Sequence, residues 1–255
     1  MVNVPFFKYA NKKIYYEEIG SGFPLLLLHG NTASSKMFTG VVDLYKKDFK
    51  LILVDFLGHG KSDRLKEFPI DFWYDEAMQV IELINYTNYE KVNIIGTSGG
   101  ALVALNVALE RNDLINKVVA DSFEGEKSLD FLTETISTDR QQTKTQEKGC
   151  MFWEYCHGDD WESIVDNDTT IVIKHDKFIK NFFHKDLSQL KVPVMLSVSL
   201  EDEFMKTINA EETYRALLEK IPNGKLHLFP KGKHPAMLTN AKEFSDIAKR
   251  FFMDS

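Results

Sequence analysis

Short, nearly continuous apolar runs recur along the chain at Pro24–Leu28, Leu51–Val54, Val92–Ile95, Lys117–Ala120, Val192–Val198 and Lys225–Phe229. A strand with one solvated face alternates apolar and polar positions, whereas continuous runs of this length suit parallel strands covered on both faces. Between them, around 35–48, 71–87, 99–111, 208–221 and 239–252, the pattern is helical. The alternation predicts an α/β fold, a mostly parallel central sheet with helices on both faces and right-handed crossovers. Ahead of it, Val4–Tyr9 and Ile14–Ile19 flank Ala10-Asn11-Lys12-Lys13 and are rich in aromatic and β-branched residues, which predicts an opening hairpin.

The alternation breaks between Ser122 and Leu190, where polar stretches such as Thr138-Asp139-Arg140-Gln141-Gln142 run into Met151-Phe152-Trp153-Glu154-Tyr155 and Trp161. This predicts a core of residues 1–121 and 191–255 interrupted by an insertion at 122–190. Ligands of open α/β sheets bind beyond the carboxyl ends of the strands, so an insertion there makes a lid. The other reading, an extra helical layer with its own small core, fits the pattern equally well.

Composition narrows the partners. With 44% hydrophobic and 12% aromatic residues, 255 residues suffice for one sizeable core. The formal charge of −7 comes from scattered acids, which disfavours nucleic acid and anionic membrane surfaces. Cys150 and Cys156 lack metal-ligand spacing and suit a reducing compartment, with a disulfide between them left open. The first residues lack a basic, apolar leader, and no run approaches the ~20 apolar residues of a membrane helix. The expectation is a cytoplasmic protein acting on a small molecule. No HExxH, GxGxxG or P-loop occurs, and neither metal nor cofactor is expected.

Candidate chemistry concentrates at Ile94-Ile95-Gly96-Thr97-Ser98-Gly99-Gly100, followed at once by Ala101-Leu102-Val103-Ala104-Leu105. An apolar strand thus enters a G-x-S-x-G pentapeptide and leaves as a helix. A serine on so sharp a turn takes positive φ, and its neighbours two residues either side crowd together, favouring residues without a Cβ. Gly96 and Gly100 occupy those places. The hydroxyl of Ser98 then projects from the sheet edge, beside the free N–H groups and positive dipole end of the next helix.

With the loops Leu28-His29-Gly30-Asn31-Thr32 and Asp55-Phe56-Leu57-Gly58-His59-Gly60-Lys61-Ser62-Asp63, and the late Gly232-Lys233-His234-Pro235, the chain resembles the α/β-hydrolase superfamily over almost its whole length. In order and spacing it is most like the capped serine esterase, lipase and peptidase-like members. The resemblance implies a nucleophile, acid, histidine order along the chain, hence Ser98 as nucleophile, His234 as base and an acid between them. Asp202 in Glu201-Asp202-Glu203-Phe204 is the choice for that acid, and Asp121 the alternative. It further implies an oxyanion hole from the backbone N–H groups of Asn31 and Gly99, with His29 in the oxyanion loop and His59 in a structural turn. Asp55 and Ser62 read as stabilisers of the Gly58–Gly60 turn.

The function these residues imply is hydrolysis of a small acyl ester through an acyl-enzyme. Aminopeptidase, C–C bond hydrolase and perhydrolase chemistry use the same triad, and a ligand-sensing protein of hydrolase descent keeps it too. Serine at position 98 argues against the dehalogenases and epoxide hydrolases of the superfamily, which place an aspartate there. Phe152, Trp153, Tyr155 and Trp161 are expected to wall the acyl pocket, while Glu154, Asp159, Asp160 and Glu162 are available to a substrate ammonium if the enzyme is a peptidase.

Overall fold

The computed structural model describes residues 5–205 and 208–254. Val4, the first residue of the predicted opening strand, lies outside them. The eight strands are β1 Phe6–Tyr9, β2 Lys12–Gly20, β3 Phe23–Leu28, β4 Phe49–Val54, β5 Val92–Thr97, β6 Ile115–Asp121, β7 Val194–Ser199 and β8 Gly224–Phe229. They form one sheet in the order β1-β2-β4-β3-β5-β6-β7-β8. β1, β2 and β4 pair antiparallel, and every pairing from β4 to β8 is parallel.

The continuous apolar runs follow from two cores, one on each face. Leu26 and Leu28 of β3, Ile52 and Val54 of β4, Ile94 of β5 and Val118 and Ala120 of β6 enter one core. Their neighbours Leu25, Leu27, Leu51, Leu53, Ile95 and Val119 enter the other. The period-2 side-chain alternation of a strand therefore delivers an apolar residue to both sides at each step. The first core is closed by α2 (Phe72–Thr87), α3 (Gly99–Glu110) and α7 (Ala210–Lys220), the second by α1 (Val42–Tyr45), α8 (Ala236–Thr239) and α9 (Ala241–Met253).

The predicted helix at 35–48 is not continuous. A 3₁₀ turn at Ser35–Phe38 and the single turn α1 replace it. Asp55 Oδ1 takes the Ser35 N–H at 2.7 Å, anchoring the segment to the β4 turn, and Gly40 interrupts the rest. β7 starts at Val194 because Pro193 has no N–H to give a neighbouring strand, although its carbonyl accepts Val118 N–H at 3.0 Å.

Between β6 and β7 lie three helices, α4 (Asp130–Lys144), α5 (Glu147–His157) and α6 (Trp161–Phe178). α4 buries no residue fully, whereas α5 turns Trp153, Cys156 and His157 inward and α6 turns Ile164, Val165, Asp168, Ile171, Val172 and His175 inward. Both cysteines are free thiols. Among the described residues no helix is long and apolar enough to cross a membrane.

Candidate active site

Ser98 stands between the end of β5 and the start of α3 at φ +56, with its N–H bonded to the Asp121 carbonyl of β6 at 2.8 Å. A Cβ on Gly96 would lie 2.0 Å from the carbonyl oxygen of Gly100. Any larger residue would push strand and helix apart and tilt the serine. The strain of the positive φ is held by that contact and by the Asp121 bond, and the half-buried side chain faces out of the sheet edge.

Two loops at neighbouring strand ends meet it. His234, beyond β8, has Nε2 at 3.0 Å from Ser98 Oγ and Nδ1 at 2.8 Å from Asp202 Oδ2. With an ionised Asp202, Nδ1–H donates to the carboxylate and Nε2 is left to accept the serine proton. Asp202 follows β7 and its side chain is fully buried; its Oδ1 accepts the Phe204 N–H at 3.0 Å. Glu203 Oε2 accepts the His234 backbone N–H at 3.1 Å. Burial works against a charged His234, yet the Asp202 hydrogen bond and the charges of Asp202, Asp121 and Glu203 outweigh it, raising its pKa above the ordinary histidine value.

Asp121, the alternative acid, is occupied elsewhere. Its oxygens accept Thr97 Oγ1–H at 2.9 Å, Ser197 Oγ–H at 2.8 Å and Met237 N–H at 3.0 Å. It ties β5, β6, β7 and α8 together, and burial pushes its pKa up to about 6 despite those bonds.

The Gly30–Thr32 loop at the end of β3 flanks the other side of Ser98. A Cβ on Gly99 would lie 2.0 Å from Asn31 Oδ1, so the Asn31 side chain and the first residue of α3 are in close approach. Trp73 Nε1–H of α2 donates to the same Oδ1 at 3.0 Å. Gly99 opens α3, where the first N–H groups have no acceptor within the helix. His29 is buried; its Nδ1–H donates to Gly30 O at 2.9 Å and its Nε2 accepts Phe56 N–H at 3.2 Å, joining this loop to the β4 turn. His59 is buried beside it, ring centroids 5.3 Å apart. Asp55 accepts the N–H groups of Ser35 and Lys61.

Of the four aromatics expected to line a pocket, only Trp153 reaches this loop, its Nε1–H donating to Thr32 Oγ1 at 3.2 Å. Trp161 stacks on Trp153 with centroids 5.5 Å apart. Phe152 and Tyr155 are on the outer face of α5, and Tyr155 packs with Lys36 and Thr39. The insertion's carboxylates also face away: Glu154, Asp159 and Glu162 are exposed, and Asp160 is held by Arg64 through two bonds of 2.6 and 2.9 Å. Sequence reading passed over Glu124, three residues beyond Asp121. It is half-buried, its acidity is weakened by burial, and it feels the charge of His234. It also passed over Trp73. A tryptophan in the first turn of an apolar helix gives no local sign that its N–H meets an asparagine 42 positions away.

A family model described as the alpha/beta hydrolase fold matches residues 24–149. The mouse protein named serine hydrolase BPHL is 27% identical over 249 residues, covering 93% of this chain and 82% of its own. Among solved structures, the chain resembles MGS-M2, an alpha/beta hydrolase enzyme from a Medee basin deep-sea metagenome library, with TM-score 0.76 and 22% identity over 98% of each chain. It also resembles the esterase EaEST from Exiguobacterium antarcticum, with TM-score 0.75 and 20% identity over 97% of this chain and 98% of that one. The sheet order described above is thus that of the α/β-hydrolase fold.

A raised His234 pKa has a definite sign. The proton adds stability that is fully present below the unfolded value of about 6.5 and is lost as pH rises through the folded value. A general base works unprotonated, so the acid limb of kcat/KM should have its midpoint above that of an ordinary histidine. Asp202→Asn should move the limb to lower pH and reduce the plateau by about 10⁴-fold. Asp121→Asn should instead lower stability by about 1–3 kcal/mol, keep most of the plateau and move the limb down less than Asp202→Asn does, since it removes a charge near His234 but not its hydrogen-bond partner. A pH–rate profile and urea unfolding of both variants check this. Loss of the limb in Asp121→Asn with a near-normal Asp202→Asn would reverse the two assignments.

Proposed function

Given that this chain belongs to the α/β-hydrolase superfamily, we propose that it is a serine hydrolase that cleaves a small acyl ester through an acyl-enzyme, with Ser98, His234 and Asp202 as its triad. The observation that carries this reading is the continuous Oγ···Nε2, Nδ1···Oδ2 chain of 3.0 and 2.8 Å beyond the ends of β5, β7 and β8. His234 takes the Ser98 proton as Oγ adds to the ester carbonyl, and the imidazolium so formed is stabilised by Asp202. The backbone N–H groups of Asn31 and Gly99 donate to the tetrahedral oxyanion. Collapse breaks the carbon–oxygen bond to the alcohol, which leaves with the proton from His234. Water then adds to the acyl-enzyme by the same base catalysis and frees the acid and Ser98.

The preference for a short acyl group rests on Trp73 and Trp153, whose indole N–H groups bond Asn31 and Thr32 and so set two bulky rings beside the loop. In this reading the insertion at 122–190 caps the site. Two unpaired thiols and an acidic, unclustered surface fit a cytoplasmic enzyme. One observation favours a second reading within the same chemistry. Glu124 is a half-buried carboxylate near His234 for which no bond to a lysine or arginine occurs among the described residues. It is suited to a substrate that carries an ammonium group, such as an aminoacyl ester or a peptide N-terminus.

A fluorophosphonate probe should label Ser98 stoichiometrically, and Ser98→Ala should lose about 10⁶-fold in turnover without loss of fold. Against p-nitrophenyl esters of graded length, acetyl to hexanoyl should outpace long chains, and triglycerides turned over equally well would contradict the capped-site reading. Glu124→Gln separates the substrate classes. If aminoacyl esters are the substrates, it should cost them about tenfold or more in kcat/KM and leave acetyl esters unchanged; equal effects on both would remove the second reading.

A further inference from the structure

Thr32 follows Asn31 directly, and every polar atom it has is bonded to the inserted helices. Its N–H donates to Asp168 Oδ2 of α6 at 3.1 Å. Its carbonyl accepts from His157 Nε2 at the end of α5 at 3.0 Å, and its Oγ1 accepts from Trp153 Nε1 at 3.2 Å. The residue sits at φ +54, a left-handed conformation rarely taken by a β-branched side chain. Such a conformation persists only where its surroundings over-determine it, and three bonds from two helices do so here.

Each partner is itself fixed. Asp168 is 1% exposed and forms an ion pair of 2.8 Å with Arg140 of α4, with His59 Nε2 3.5 Å away on the core side. Burial alone would raise its pKa, but the charges of Arg140 and His59 prevail and hold it at about 2, which keeps it an ionised acceptor. His157 Nδ1 accepts Gly60 N–H at 3.0 Å, so the ring proton is on Nε2, directed at the Thr32 carbonyl. Burial lowers that imidazole to about 4 and keeps it neutral. On its other side, Asn31 is bounded by Gly30, whose added Cβ would lie 2.8 Å from Ser98 Cβ, and its own side chain is held by Trp73. The Asn31 N–H shares its peptide plane with the Gly30 carbonyl, which accepts His29 Nδ1–H at 2.9 Å and, across a tight turn whose third residue is Thr32, Ala33 N–H at 3.3 Å, so the conformation of Thr32 sets the turn that carries the donor.

We infer that Asp168, His157 and Trp153 are positioning residues for the oxyanion hole, setting the Asn31 N–H through Thr32, so that Ser98 turns over only while the inserted helices are seated. The inference rests on the assignment of Asn31 as an oxyanion donor. It makes the insertion part of the transition-state machinery as well as a cover: an excursion of α5 and α6 releases Thr32 from its left-handed conformation and swings the donor away. Chemistry is then confined to the closed state, where bulk water has least access to the acyl-enzyme.

The test uses the whole 255-residue chain with Trp153→Phe, which keeps an aromatic ring and removes the N–H donor, and with Asp168→Ala and Asp168→Asn, the last retaining an acceptor for Thr32 N–H. All rates are normalised to Ser98 sites that react with a fluorophosphonate. Misplacing one oxyanion donor should lower kcat by about 10–100-fold for Trp153→Phe and Asp168→Ala, with KM within about threefold of the parent. Affinity for a trifluoromethyl ketone, which forms the tetrahedral adduct, should weaken by the same factor, and Asp168→Asn should retain more of both than Asp168→Ala. A purely architectural role predicts lower Tm with kcat per reactive Ser98 and ketone affinity unchanged, and that outcome overturns the inference alone. Failure of the fluorophosphonate to label Ser98 in the parent protein overturns the serine-hydrolase reading and this inference together.

Discussion

Ser98 can hold φ +56 at the junction of β5 and α3 only because Gly96 passes within van der Waals reach of the Gly100 carbonyl. That approach brings the serine to the sheet edge, and the rest of the site is arranged around its position. β6 lends the Asp121 carbonyl to the Ser98 N–H, β7 ends in the loop that carries Asp202, and β8 leads to His234. Four consecutive parallel strands, β5 to β8, terminating on one side thus bring three side chains, those of Ser98, Asp202 and His234, to one point. Parallel pairing in register, such as Thr97 with Asp121 and Asp121 with Ser197, makes the distances between those ends a property of the sheet and not of the loops.

The electrostatics separate architecture from chemistry. Two aspartates stand near His234, and their environments differ. Asp121 spends its oxygens on Thr97, Ser197 and Met237 and is made a weaker acid by burial, while Asp202 accepts the imidazole proton at 2.8 Å. A buried carboxylate with all its acceptors occupied stitches strands together; one with an oxygen aimed at a histidine is free to stabilise an imidazolium. The histidines divide in the same way. His29 and His157 have both ring nitrogens committed to the backbone and their pKa values pressed down by burial, whereas His234 has one nitrogen on a carboxylate and the other on a hydroxyl.

What was legible in the chain depended on range. Six of the eight strands, β3 to β8, announce themselves as apolar runs, because a sheet covered on both faces needs them, the opening hairpin shows in its aromatic and β-branched residues, and the G-x-S-x-G turn is a local steric requirement. The segment at 35–48 reads as helical yet is broken, since Asp55, 20 residues later, claims the Ser35 N–H. In the insertion, the aromatic spacing suggested a single pocket wall, but a helix sends residues one position apart to different faces, so Trp153 turns inward while Phe152 and Tyr155 face solvent. Trp73 against Asn31, and Asp168 against Thr32 across 136 positions, leave no trace in local pattern because each partner is an ordinary helix residue until the fold is assembled.

The central claim is that the Ser98 hydroxyl, made nucleophilic by His234, is acylated during turnover. Rapid mixing with a p-nitrophenyl ester, acid quench and peptide mass spectrometry observe that intermediate directly. The account predicts one acyl mass increment per chain on the peptide bearing Ser98, formed in the burst phase and absent from His234→Ala. An ester hydrolysed at full rate with no covalent adduct at Ser98, or with the adduct on another residue, would contradict it.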